Sequence, residues 1–247
     1  MHQNTRQPAR PAPTRGKTPM LLVAMALGLA ALYYGPQVAA EKSITLPQPN
    51  AYVTAGLSMP TGARETVVFA GGCFWGVQAV FQHTRGVISA VSGYAGGTAS
   101  DADYPTVSAG NTGHAESVQV TFDPRQVSFT QLLQIYFSVA HDPTQLNRQY
   151  PDTGTQYRSA VFTTTTAQQQ ITARYIEQLD AAHVFSGKIV TQLGALQGFY
   201  PAENYHQNYA TLHPEQPYIA RFDLPKIANL KASMPALYRE NPELVAN

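Results

Sequence analysis

The sequence predicts an α+β fold in which the elements follow one another as β-α-β-β-α-β, with a further α-β pair behind. Three observations carry this prediction: apolar runs of strand length, apolar residues at helical spacing directly after them, and capping or turn chemistry at the junctions. A chain of 247 residues with 44% hydrophobic side chains can bury a substantial core.

Glu65 to Ala70 (ETVVFA) reads as a buried strand ended by Gly71-Gly72. From Cys73 to Gln82, Phe74, Val77 and Phe81 recur at helical spacing. Val87 to Ser92 is β-rich and is expected to run into a glycine turn, Gly93-Tyr94-Ala95-Gly96-Gly97. Val118, Val120 and Phe122 alternate with polar residues and stop at Asp123-Pro124. Ser128 and Gln131 form a capping box for a helix with Leu132, Leu133, Tyr136 and Phe137 inward. Ala160 to Thr163 is a strand. Thr166 and Gln169 are expected to open a second capped helix, with Ile171, Tyr175 and Leu179 on one face, and Lys188 to Leu193 alternates again. This is the split βαβ order of ferredoxin-like α/β sandwiches. From about His213 onward, a Pro-interrupted tail is expected to wrap over the domain.

Charge locates the first boundary. Residues 1–40 carry Arg6, Arg10, Arg15 and Lys17 and no acid, whereas the rest of the chain holds 12 basic and 15 acidic groups. The basic stretch is followed by an apolar run, Met20 to Tyr34, then by small residues Val38 and Ala40 where a signal-peptide cleavage site places them. The run is shorter than the ~20 residues of a membrane span. Residues 1–40 are therefore expected to be a signal peptide for export to the periplasm, with an uncleaved membrane anchor at 20–34 as the alternative. Residues 41–62 read as a linker and 63–247 as the folded domain.

The net charge of +1 argues against a nucleic-acid binder, which needs a dense basic face. The single cysteine excludes an internal disulfide, a CxxC pair and a thiolate zinc cluster within the chain. No spacing among the seven histidines matches a metal motif, so no bound metal or cofactor is expected. Thiol chemistry, if the chain performs it, falls to Cys73 alone. Cys73 stands where a strand ends and a helix begins, and free amides with the positive end of the helix dipole are expected to favour its thiolate. The only tryptophan, Trp75, follows two residues later.

Gly71-Gly72-Cys73-Phe74-Trp75-Gly76 resembles the signature of the A-type peptide methionine sulfoxide reductases. Gly93-Tyr94-Ala95-Gly96-Gly97, Tyr104-Pro105-Thr106, Gly113-His114-Ala115-Glu116, His141-Asp142-Pro143, Gly154-Thr155-Gln156-Tyr157-Arg158-Ser159 and Tyr205-His206-Gln207-Asn208-Tyr209 resemble further blocks of that family, in its order. The resemblance covers roughly residues 64–212 and implies a ferredoxin-like fold. It also implies a thiol-dependent reduction of methionine S-sulfoxide in proteins, serving repair of oxidative damage. In it Cys73 matches the nucleophile and Glu116 the acid, a carboxyl that an apolar pocket keeps protonated. Tyr104 and Tyr157 match hydroxyls that bind the sulfoxide oxygen. Phe74 and Trp75 match the wall that receives the methyl group, Asp152 an ordering residue, and His206 and Tyr209 the rim.

Two departures stand out. Gln78 replaces the glutamate that many members carry. The tail from His213 has no cysteine, whereas many relatives resolve their sulfenic acid there. The expected enzyme is a one-cysteine monomer whose sulfenic acid is reduced by an external thiol such as thioredoxin, glutaredoxin or glutathione. A cysteine hydrolase and a thioether-binding module are the alternatives. The first lacks a local protease signature around Cys73.

Overall fold

A computed structural model describes residues 43–57, 62 and 64–246. The expected signal or anchor segment lies outside the described residues. None of the helices among the described residues is long and apolar enough to cross a membrane.

Six strands form one sheet: β1 (Glu65–Gly71), β2 (Val87–Ala95), β3 (Ala115–Phe122), β6 (Ser159–Thr163), β7 (Gln192–Ala195) and β8 (Phe199–Pro201). Their order is β7-β6-β1-β3-β2-β8. The central four, β6-β1-β3-β2, are antiparallel throughout, as the ferredoxin-like order requires. After β6 the chain crosses through a long helix and returns as β7, parallel to β6. At the other edge β8 pairs antiparallel with the end of β2. A separate two-stranded hairpin joins β4 (Arg148–Gln149) to β5 (Asp152–Thr153).

The α-helices among the described residues are α1 (Ala51–Thr54), α2 (Phe74–Gln82), α3 (Tyr104–Ser108), α4 (Phe129–Ile135), α5 (Thr166–Ala181), α6 (Tyr209–Leu212) and α7 (Leu224–Ser233). Apolar side chains of α2, α4 and α5 share one core with Val67 and Phe69 of β1, Val118, Val120 and Phe122 of β3, and Val161 of β6. These strand residues alternate, so one face of the sheet carries the main core. At its centre Phe69 stacks on Phe81 at 4.9 Å and on Tyr136 at 4.8 Å between ring centroids. The Tyr136 hydroxyl donates to the carbonyl of Ala70 at 2.7 Å, so this buried ring also satisfies its polar end.

Several local expectations hold and several shift. The Ser128–Gln131 capping box is present in both directions. The cap of α5 is Thr165, one residue earlier than expected, and Gln168 reaches back to the Thr164 amide. β2 does not end at Ser92; it runs through Gly93 and Tyr94 because β8 pairs with it there. A Cβ on Gly93 would lie 2.4 Å from the Tyr200 carbonyl oxygen, so the glycine serves close packing, and the positive φ of the expected turn begins at Gly96. The strand expected from Lys188 is β7, which begins at Gln192. The stretch expected to be a linker is docked over residues 43–57. Asn50 caps α1, Val53 is fully buried, and the Tyr175 hydroxyl of α5 donates to the Pro47 carbonyl at 2.9 Å. A four-residue helix is too short to show a period. The tail does wrap: the Arg85 amide donates to the Leu237 carbonyl and the Arg239 amide to that of His83.

Candidate active site

The strand-to-helix junction builds the site. β1 ends at Gly71, Gly72 takes φ +88°, and Cys73 occupies the N-cap of α2. The side chains of His141 and Gln149 fill the space beside Gly71 and Gly72, where any Cβ would clash. Cys73 is 9% exposed. The nearby Trp75 backbone N–H favours the thiolate. Burial is the larger effect and pushes the thiol well above its ordinary value, and the carboxyls of Glu116, Asp223 and Asp152 oppose the thiolate further wherever they are ionised. The expected resting thiolate is therefore corrected: before substrate arrives, Cys73 is a thiol.

Glu116 sits in β3 beside Tyr94 of β2. It is buried, and its Oε2 accepts the backbone N–H of Phe74 at 3.1 Å. One free amide of α2 thus ties the carboxyl to the residue after the cysteine. Burial pushes the Glu116 carboxyl up to about 8; the Phe74 amide opposes this, and the charges of Asp152 and Asp223 add to it. A carboxyl in this state holds a proton at neutral pH.

Tyr104 opens α3, which Asp103 caps. Its backbone N–H donates to Glu203 Oε1 at 2.9 Å, while Glu203 Oε2 accepts the Tyr94 hydroxyl at 3.0 Å. Tyr157 ends the short 3-10 turn Thr155–Tyr157. Burial raises both phenols, and the charges of Glu116, Asp152 and Cys73 raise each of them further. Both hydroxyls therefore stay protonated and able to donate. Asp152, in β5, accepts a short hydrogen bond from the Tyr218 hydroxyl.

The aromatic residues divide. Phe74 is 1% exposed and packs between Tyr94 and His206, so it backs the site from the core. Trp75 is half-buried and stacks on Tyr209 at 4.0 Å, with its Nε1–H donating to His206 Nδ1 at 3.2 Å. His206 is 2% exposed and is not at the rim; it is packed against Phe74, Trp75 and Tyr104. Tyr205, 61% exposed, takes the outer position. Gln78 donates to Ala90 O and to Gln207 Oε1 and accepts the Asn208 amide. A glutamate could not supply those two donors. Among the described residues no group of three His, Cys, Asp or Glu is placed to hold a metal ion.

Sequence reasoning missed Tyr218, Asp223, Lys226 and Glu203. The tail residues lay in a stretch broken by prolines. The one available signal was Asp223 and Lys226 three apart, a spacing that pairs charges on a helix.

The comparisons agree with this geometry. The family model described as peptide methionine sulfoxide reductase matches residues 65–236. A peptide methionine sulfoxide reductase MsrA 2 of Mesorhizobium japonicum is 61% identical over 181 residues, covering 73% of this chain and 93% of its own. A second protein of that name, from Synechocystis, is 44% identical over 205 residues, 83% of this chain and 95% of its own. Among solved structures, methionine sulfoxide reductase A of Corynebacterium diphtheriae superposes with a TM-score of 0.55 at 35% identity, over 72% of this chain and 87% of its own. Reduced Mxr1 from Saccharomyces cerevisiae gives 0.59 at 30% identity, over 66% and 92%. With its strand order, its buried cysteine and acid, and these matches, the chain belongs to the A-type peptide methionine sulfoxide reductase family.

Proposed function

We propose that the chain reduces methionine S-sulfoxide in proteins to methionine, with Cys73 as nucleophile and Glu116 as acid. The observation that carries this reading is the Phe74 amide, which fixes a protonated carboxyl beside the buried thiol. Sulfoxide oxygen leaves only when it is protonated. Glu116 gives it that proton, and the hydroxyls of Tyr104 and Tyr157 bind it as charge develops. The Cys73 sulfur attacks the sulfoxide sulfur while its own proton passes to the Glu116 carboxylate. The sulfur–oxygen bond of the substrate and the new sulfur–sulfur bond then break as the hydroxyl passes to the Cys73 sulfur, which releases the thioether. Thiol and sulfoxide become sulfenic acid and thioether; Cys73 loses two electrons and the substrate sulfur gains them.

Trp75, braced by Tyr209 and His206, is the flat apolar surface for the substrate methyl group. Asp152 orders the site with Tyr218. With no second cysteine in the chain, recovery needs two external thiol equivalents. The first condenses with the sulfenic acid to a mixed disulfide and water, and the second releases Cys73. A thioredoxin, a glutaredoxin or glutathione fits this role. The basic and apolar start of the chain supports export to the periplasm, with anchoring by residues 20–34 as the alternative.

The test is thiol consumption with a peptide methionine S-sulfoxide as substrate. The reading expects one methionine for each disulfide formed and no turnover by Cys73→Ser. Thiol-independent release of an amine or acid would instead establish a hydrolase.

A further inference from the structure

The C-terminal segment brings to the nucleophile a charged pair that the reaction above does not use. Asp223 and Lys226 lie one turn apart, with Nζ 3.5 Å from Oδ1 and side chains 0% and 9% exposed. Apart from that contact neither Asp223 oxygen has a hydrogen-bond partner among the described residues. Both groups are seated on Gly76, in the first turn of the helix that Cys73 caps. A Cβ there would lie 2.1 Å from Asp223 Oδ1 and 3.1 Å from Lys226 Nζ. A buried pair held by one long contact is a poor source of stability, since two charges lose their water for little attraction. Its position beside the nucleophile gives it another use.

We propose that Asp223 and Lys226 are positioning residues for Cys73: Asp223 is one of the carboxyls that hold the thiol in its protonated form, and Lys226 is the fixed cation that offsets them. The inference rests on Cys73 as the nucleophile and deepens that reading. Three carboxyls act on Cys73 from separate elements: Glu116 from β3, Asp152 from β5 and Asp223 from the tail. The phenols of Tyr104, Tyr157 and Tyr218 feel the charge of the same group. Lys226 draws down both Asp152 and Asp223 and also bears on His141, which packs against Gly71. It is the cation common to these interactions. The tail here sets how readily Cys73 loses its proton.

The experiment is the pH dependence of Cys73 alkylation by iodoacetamide, in the full chain without substrate. Lys226→Met should move the midpoint up by about one pH unit and Lys226→Arg should restore it. Asp223→Asn should move it down by a similar amount. The proposal is overturned if either midpoint stays at the wild-type value or moves the opposite way. If Lys226→Met loses its near-ultraviolet circular dichroism, the isosteric Asp223→Asn decides alone. Alkylation needs no turnover, so unmoved midpoints in an active reductase sink only the pair. Shifted midpoints in a chain that reduces no sulfoxide sink only the reductase reading.

Discussion

The Phe74 amide holds the Glu116 carboxyl at 3.1 Å, so the residue after the proposed nucleophile fixes the proposed acid. Glu116→Gln keeps this hydrogen bond and removes the transferable proton. The single-turnover rate of sulfoxide reduction should fall by roughly 100-fold or more. The wild-type rate should also decline as pH rises through about 8, where Glu116 ionises, and the variant should lack that limb. A variant rate near wild type would end the assignment of Glu116 as acid.

The same carboxyl makes a stability prediction. Its folded pKa, about 8, lies above the ordinary 4.5. Its favourable contribution is therefore complete below about pH 4.5 and is lost as pH rises to about 8, because the folded state must then bury a charge. Denaturant unfolding should show Glu116→Gln gaining on wild type across that window. A constant difference from pH 5 to 9 would contradict it.

Trp75 contacts its neighbours through both its face and its Nε1–H. Trp75→Phe loses the bond to His206 and part of the stack on Tyr209. We expect KM for a sulfoxide peptide to rise roughly tenfold, with kcat affected less. Steady-state kinetics separate the two.

Gly76→Ala tests the seat of the tail. In an ordinary helix this change gains about 1 kcal/mol of propensity. Here the new methyl meets Asp223 Oδ1 at 2.1 Å, and overpacking of this kind costs about 1–3 kcal/mol. The clash should win, lowering Tm in a thermal scan. An unchanged or raised Tm would show that the tail is not docked there.

One turnover without reductant should leave Cys73 heavier by a single oxygen in intact-mass spectrometry, and dimedone should trap it. Accumulation of a Cys73–Cys73 dimer in place of that species would argue for a different route of recovery.

What the sequence showed was local, and what it hid was distant. The Ser128–Gln131 box and the helix after Cys73 rest on neighbouring residues, so pattern alone finds them. The end of β2 does not, because Gly93 makes room for Phe199 and Tyr200 of a later strand. The charge of Cys73 was misjudged for the same reason. Helix-end amides are written beside it in the sequence, whereas Glu116, Asp152 and Asp223 reach it only through the fold. Family resemblance singles out Cys73, Glu116 and the two tyrosines together. Nothing in the order of residues joins Lys226 to Gly76.

The placement of Tyr218, Asp223 and Lys226 near the C-terminus also orders events in the life of the chain. Cys73 and Glu116 are synthesised long before the residues that finish their surroundings. While it is being made, the protein carries its thiol without its final electrostatic setting. The surroundings described for Cys73 are complete only when the last helix has been released and has settled on the first turn of α2.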